Sequence, residues 1–119
     1  MRTALLELAG RPPEDADEEQ PVIARIWRGR VRPDRAEAYL GLMRDVAIRD
    51  YAATPGNLGA WCLHRAEADH VVVQMLTFWT DMDAIARFAG DDVARARYYD
   101  FDPDYLIEMP PTVEHYEML

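Results

Sequence analysis

The chain of 119 residues contains no lysine; all thirteen of its basic residues are arginine. A Schiff-base lysine is therefore excluded, and a GC-rich coding sequence is enough to explain the bias. There is one cysteine, Cys62, so no internal disulfide can form, which suits a reducing cytoplasm. No apolar run approaches the roughly 20 residues of a membrane span. Met1 to Gly10 carries Glu7 inside its only apolar patch and lacks a long hydrophobic stretch, so no signal peptide is read. CxxC, HExxH, a glycine-rich phosphate loop and the G-x-S-x-G elbow are all missing. The three histidines at 64, 70 and 115 lack metal-ligand spacing, so neither metal nor cofactor is expected.

A basic stripe is lacking as well. The net charge is −9, and Glu14, Asp15, Asp17, Glu18 and Glu19 lie in one run beside Pro12-Pro13. Residues 1–20 read as a disordered acidic leader and 21–119 as one domain. Outside the leader, 16 acids still face 11 arginines. An acidic body of this kind argues against nucleic acid and anionic membranes. Half the residues are hydrophobic, and a chain of this size buries roughly two thirds of its unfolded surface, enough for a core.

Val22 to Val31 reads as a first strand, broken by Arg32-Pro33-Asp34, with proline suited to a helix start. From Asp34 to about Tyr51, Ala36, Tyr39, Leu40, Met43, Val46 and Ala47 recur at spacings of three and four, as on an amphipathic helix. Thr54-Pro55-Gly56-Asn57 is a turn. Leu58 to Ala66 is a second strand with Leu58, Ala60, Cys62 and His64 on one face. Glu67-Ala68-Asp69 connects it to a third strand, His70 to Trp79, which is apolar on both faces. Thr80 and Asp83 suggest a capping box for a helix that Gly90 stops. A short helix is expected over Asp91 to Tyr99, irregular chain over Phe101 to Pro111, and a fourth strand over Val113 to Leu119.

The order is β-α-β-β-α-β, an α+β ferredoxin-like fold with an antiparallel sheet. Helices cover one sheet face only. The apolar second face needs a partner, most economically an identical sheet across a two-fold axis, and a homodimer is expected.

This order, the strand ending in Phe78-Trp79-Thr80-Asp81 and flowing into Ala84-Ile85-Ala86-Arg87-Phe88, the Thr54-Pro55-Gly56-Asn57 turn and the terminal Glu114-His115-Tyr116-Glu117 strand resemble the antibiotic biosynthesis monooxygenase family of dimeric α+β barrels. The likeness spans about Val22 to Leu119. It implies a pocket between the sheet and its own helices. It also implies a small, cofactor-independent oxygenase-like tailoring enzyme that takes O2 and a hydrophobic aromatic substrate such as an anthrone. A non-redox isomerase or cyclase, and a non-catalytic small-molecule binder, are alternatives on the same scaffold. Two departures are visible. Anthrone-oxidising members carry asparagine four residues before the strand-end tryptophan, where this chain has Met75. Haem-degrading members carry a second tryptophan and a later histidine, where this chain has Phe88, Tyr98 and Tyr99.

Cofactor-free oxygenation needs a base to form a substrate carbanion and a donor for the developing oxyanion, in an apolar pocket. The catalytic candidates are His64 and His115 as bases, and Trp79 as an indole donor or a wedge at the strand–helix junction. The substrate-binding candidates are Tyr39, Tyr51, Asn57, Met75, Phe88, Tyr98 and Tyr99. Packing is the alternative for each aromatic, and a turn role for Asn57. Arg25 shares the parity of Trp27 on the first strand. Were it buried, it would require an anionic partner or substrate.

Overall fold

The computed structural model describes residues 21–119, so the leader expected over residues 1–20 lies outside it. Strand β1 (Ile23–Val31) leads to helix α1 (Pro33–Leu42), a π-helical segment (Met43–Ala47) and helix α2 (Ile48–Ala53). A hairpin of β2 (Asn57–Ala66) and β3 (Val71–Trp79) follows, then α3 (Met82–Ala89) and a one-turn helix α4 (Asp102–Tyr105). Short strands β4 (Leu106–Glu108) and β5 (Glu114–Glu117) end the chain. The sheet order is β2-β3-β1-β4, β5 also pairs with β1, and every pairing is antiparallel. This is the ferredoxin-like α+β arrangement expected.

Local chemistry accounts for the boundaries. Arg32 is extended and Pro33 opens α1, where its missing N–H costs nothing. Buried Tyr39, Met43, Ala47 and Tyr51 follow one another at strict four-residue spacing. In an ideal α-helix that spacing drifts about 40° per step around the axis. The wider i→i+5 turn of the π segment takes up the drift and keeps the four side chains facing the sheet. Gly56, at φ 93°, makes the turn into β2, and the chain continues through a bulge between Asn57 and Gly59. The bulge sends Leu58 to the second face of the sheet rather than to the face of Ala60 and Cys62.

Three other expectations shift. The cap of α3 is Asp81, whose carboxylate accepts from Ala84 N at 2.8 Å, not Thr80. Asp91 to Tyr99 is not helical; it is tied to the C-terminal segment by an isolated bridge between Arg95 and Thr112. The stretch taken as irregular contains α4 and β4. Pro110 and Pro111 then lack the N–H groups a ladder needs, so β4 ends before them and β5 begins after them, inside the strand expected over Val113 to Leu119.

The main core lies between the helices and the face carrying Ile23, Trp27, Val31, Val73, Met75 and Trp79. On the other face Val22, Ala24 and Phe78 are buried, packed by half-buried Leu58, Trp61, Leu76 and Met118. That face becomes polar toward Arg28, Arg30 and Gln74.

Candidate functional site

A cavity opens between the sheet and the helical layer. Trp27 of β1 and Met75 of β3 form its floor, while Tyr39, Met43, Ala47 and Tyr51 form its roof. Arg97, Tyr99 and Asp102 close it from the side. Its free volume is about 20 Å³, room for about one water. The π segment thus supplies two of the lining residues, Met43 and Ala47.

The polar groups are concentrated on Asp102, which is 2% exposed. Tyr39 donates its hydroxyl to Oδ1 at 2.8 Å, and the Tyr99 backbone N–H donates to Oδ2 at 2.6 Å. Burial holds the Asp102 carboxyl above its usual range, against the pull of these two donors. Burial and the adjacent Asp102 push the Tyr39 hydroxyl up, so it remains a neutral donor. The Tyr51 hydroxyl is pushed up to about 12, chiefly by burial, while Arg25 and Arg97 pull the other way. Tyr99 donates to Asp50 at 2.7 Å, and Arg97 pairs with the same carboxylate at 2.9 Å. A buried carboxylate that favours its proton, surrounded by aromatic walls and neutral hydroxyls, can exchange a proton with a ligand whose ring packs against those walls.

Of the residues named from sequence, Tyr39, Tyr51, Met75 and Tyr99 converge on this cavity. Phe88 backs it, stacked on Tyr51 at 4.2 Å with the Arg97 guanidinium 4.5 Å from its ring. Trp79 is wholly buried behind Tyr51 and Phe88, and its indole N–H donates to Thr77 Oγ1 at 2.8 Å. Tyr98 accepts from the Trp27 indole at 3.4 Å and donates to the Pro110 carbonyl. Asn57 donates to the carbonyls of Phe78 and Gly59, which secures the bulge.

His64 has helix-side parity, but it is exposed on edge strand β2 and lines a separate groove with Leu63, Arg65, Val72 and Gln74. His115 is half-buried on β5, directly across from Arg25, and its pKa is lowered by burial and then by the Arg25 charge. Sequence reasoning missed Asp102, Arg97, Met43 and Ala47. The available signal was Phe101-Asp102-Pro103, an Asp-Pro helix start inside a stretch read as irregular. Among the described residues no three His, Cys, Asp or Glu side chains converge as a metal site, and no helix is long and apolar enough to cross a membrane.

No family model matches the chain, and no curated protein matches its sequence. Solved structures do share its fold. A Caulobacter crescentus CB15 protein named a "putative antibiotic biosynthesis monooxygenase" superposes with a TM-score of 0.61 at 21% identity, over 84% of this chain and 92% of that one. A conserved protein from Methanosarcina mazei Go1 superposes with a TM-score of 0.60 at 14% identity, over 84% and 95%. At these identities the likeness is one of fold.

Proposed function

We propose that the chain is a small, cofactor-independent oxygenase-type tailoring enzyme that takes a hydrophobic aromatic substrate into the cavity between sheet and helices. The observation that carries this reading is the buried Tyr39–Asp102 pair set among Trp27, Met43, Met75 and Tyr51. The name of the Caulobacter neighbour agrees with it. Asp102 is the base: its carboxylate removes a proton from an activated ring position such as the methylene of an anthrone. The resulting carbanion passes an electron to O2, the two radicals combine, and loss of water leaves a carbonyl. In balance, CH2 and O2 become C=O and H2O, with all electrons supplied by the substrate. Tyr51, held neutral, donates to the developing oxyanion, while the Tyr39 hydroxyl stays on Asp102 and positions it. Because the free volume is about 20 Å³, a ring enters only when the segment carrying Arg97, Tyr99 and Asp102 moves outward.

The chain acts as a homodimer in this reading, joined through the face of Trp61, Leu76 and Phe78, and its free cysteine suits a cytoplasmic setting. A lone buried carboxylate also serves proton transfer without oxygen, so an isomerase or cyclase is the second reading. The test is oxygen uptake with anthrone, measured against uncatalysed autoxidation, alongside quinone formation. The proposed enzyme consumes one O2 per quinone, and Asp102→Asn lowers the rate by about 10²–10⁴. Uptake at the autoxidation rate across anthrone and phenol substrates would overturn oxygenation; proton exchange at the same carbon without uptake would support the isomerase.

A further inference from the structure

Among the described residues, two buried side-chain nitrogens have no hydrogen-bond partner: Arg25 Nε and His115 Nε2. They belong to residues directly opposite each other on β1 and β5. Arg25 is 2% exposed, the most buried charged side chain together with Asp102. Its Nη2 donates to the carbonyl of Arg95 at 3.1 Å, a neutral acceptor, and none of the described carboxylates forms an ion pair with it. Acids are not scarce. Surface Arg28, Arg30, Arg32 and Arg65 each pair with one, to Glu114, Glu108, Asp34 and Glu67. These four surface guanidiniums thus have carboxylate partners, whereas the one in the core faces a neutral carbonyl. Burying a guanidinium without an anion is costly, and the cost falls when an anion of suitable shape supplies the missing acceptors.

We propose that Arg25 and His115 form an anion-binding subsite that takes the carboxylate of a planar aromatic acid. The subsite stands independently of the oxygenation proposed above. Arg25 supplies the charge and the Nε–H donor, and the His115 imidazole supplies a second donor from the neighbouring strand. The Phe88 ring lies 5.9 Å from the guanidinium carbon; Tyr51 at 4.2 Å and the Arg97 guanidinium at 4.5 Å cover its faces, so the acid's ring meets its edge. One permanent positive charge and one neutral imidazole match a monoanion better than a phosphate dianion. The cover is the Arg95 carbonyl, held by Ala96 N–H to Pro111 O and Val113 N–H to Ala94 O, each 2.9 Å. The carboxylate replaces this carbonyl as the acceptor when the segment shifts.

The test is a titration of the full chain with benzoate, its neutral isostere benzamide, and inorganic phosphate, read by calorimetry and by the Arg25 Nε–H resonance. Benzoate should saturate, shift that resonance, and bind about tenfold more tightly than benzamide, the factor expected for one charge-assisted hydrogen bond. Arg25→Met should abolish the preference and His115→Gln should weaken it. If Arg25→Met does not fold, the His115→Gln result and the benzoate-to-benzamide ratio on the unmodified chain decide. Equal affinity for benzoate and benzamide, or an unmoved Arg25 resonance, overturns the subsite. Tighter binding of phosphate than of benzoate overturns the carboxylate assignment. A protein that binds benzoate but takes up no oxygen keeps the subsite and loses only the reaction.

Discussion

Replacing Tyr39 by Phe removes one oxygen atom from the roof of the cavity and with it the 2.8 Å hydrogen bond to Asp102 Oδ1. Tyr39 is 1% exposed, so bulk solvent does not replace the lost donor, and the adjoining cavity has room for no more than about one water. A hydrogen bond to a charged group contributes about 1.5–3 kcal/mol net. Asp102 retains the Tyr99 N–H, so the loss should be about 2 kcal/mol, a fall in Tm of about 8–16 °C for a domain of this size. The penalty should depend on pH. Burial raises the Asp102 pKa in the folded state. Its contribution to stability is therefore present below its unfolded value of about 3.9 and is lost as pH rises through the folded value. The Tyr39 hydroxyl favours the carboxylate and limits that loss. Removing it should cost more at neutral pH than at a pH where Asp102 is protonated. Urea unfolding followed by tryptophan fluorescence gives both quantities, with the m-value unchanged. A double-mutant cycle with Asp102→Asn should show a coupling of about 1 kcal/mol or more. A loss below about 0.5 kcal/mol, independent of pH and additive with Asp102→Asn, would refute the pair as an energetic unit.

At Gly56, φ is 93° and a methyl group would stand 2.3 Å from the Ala84 Cβ. Gly56→Ala should therefore cost about 2–4 kcal/mol through strain and overpacking, and an unchanged urea midpoint would contradict the turn geometry. The folded-state pKa of His115 lies below its ordinary value of 6.5, because burial and the Arg25 charge favour the neutral ring. Its contribution to stability is complete above about pH 6.5 and is lost as pH falls toward the folded value. His115→Gln should flatten the stability profile in that window, and an identical slope in the variant would refute this. Sedimentation should give twice the 13.7 kDa chain mass, and Trp61→Glu should return a single chain; a monomeric parent protein would remove the proposed sheet-to-sheet contact.

The elements and their order were legible in the sequence because period-2 and period-3.6 patterns and Pro, Gly and Asp punctuation are local signals. β1, the long helix through Tyr51, the β2–β3 hairpin, and α3 with its Gly90 stop all follow from such signals. The spacing of Tyr39, Met43, Ala47 and Tyr51 marked one buried face, but not the π segment that holds it in register, since an α-helical reading tolerates the same residues. The C-terminal third was misread where few local signals exist. Asp91 to Phe101 is positioned by the Arg95–Thr112 bridge and by Tyr99 and Asp102, partners that only the folded chain brings together. Parity alone placed His64 and His115 on strand faces. Tertiary structure decided that the first lies on an exposed edge and the second beside a buried guanidinium. Composition and periodicity thus determined which residues turn inward. Which polar groups meet inside, Asp102 with Tyr39 and Arg25 with His115, depended on contacts between residues 63 and 90 positions apart. No local pattern encodes such contacts, because their energy exists only once burial has removed the competing water.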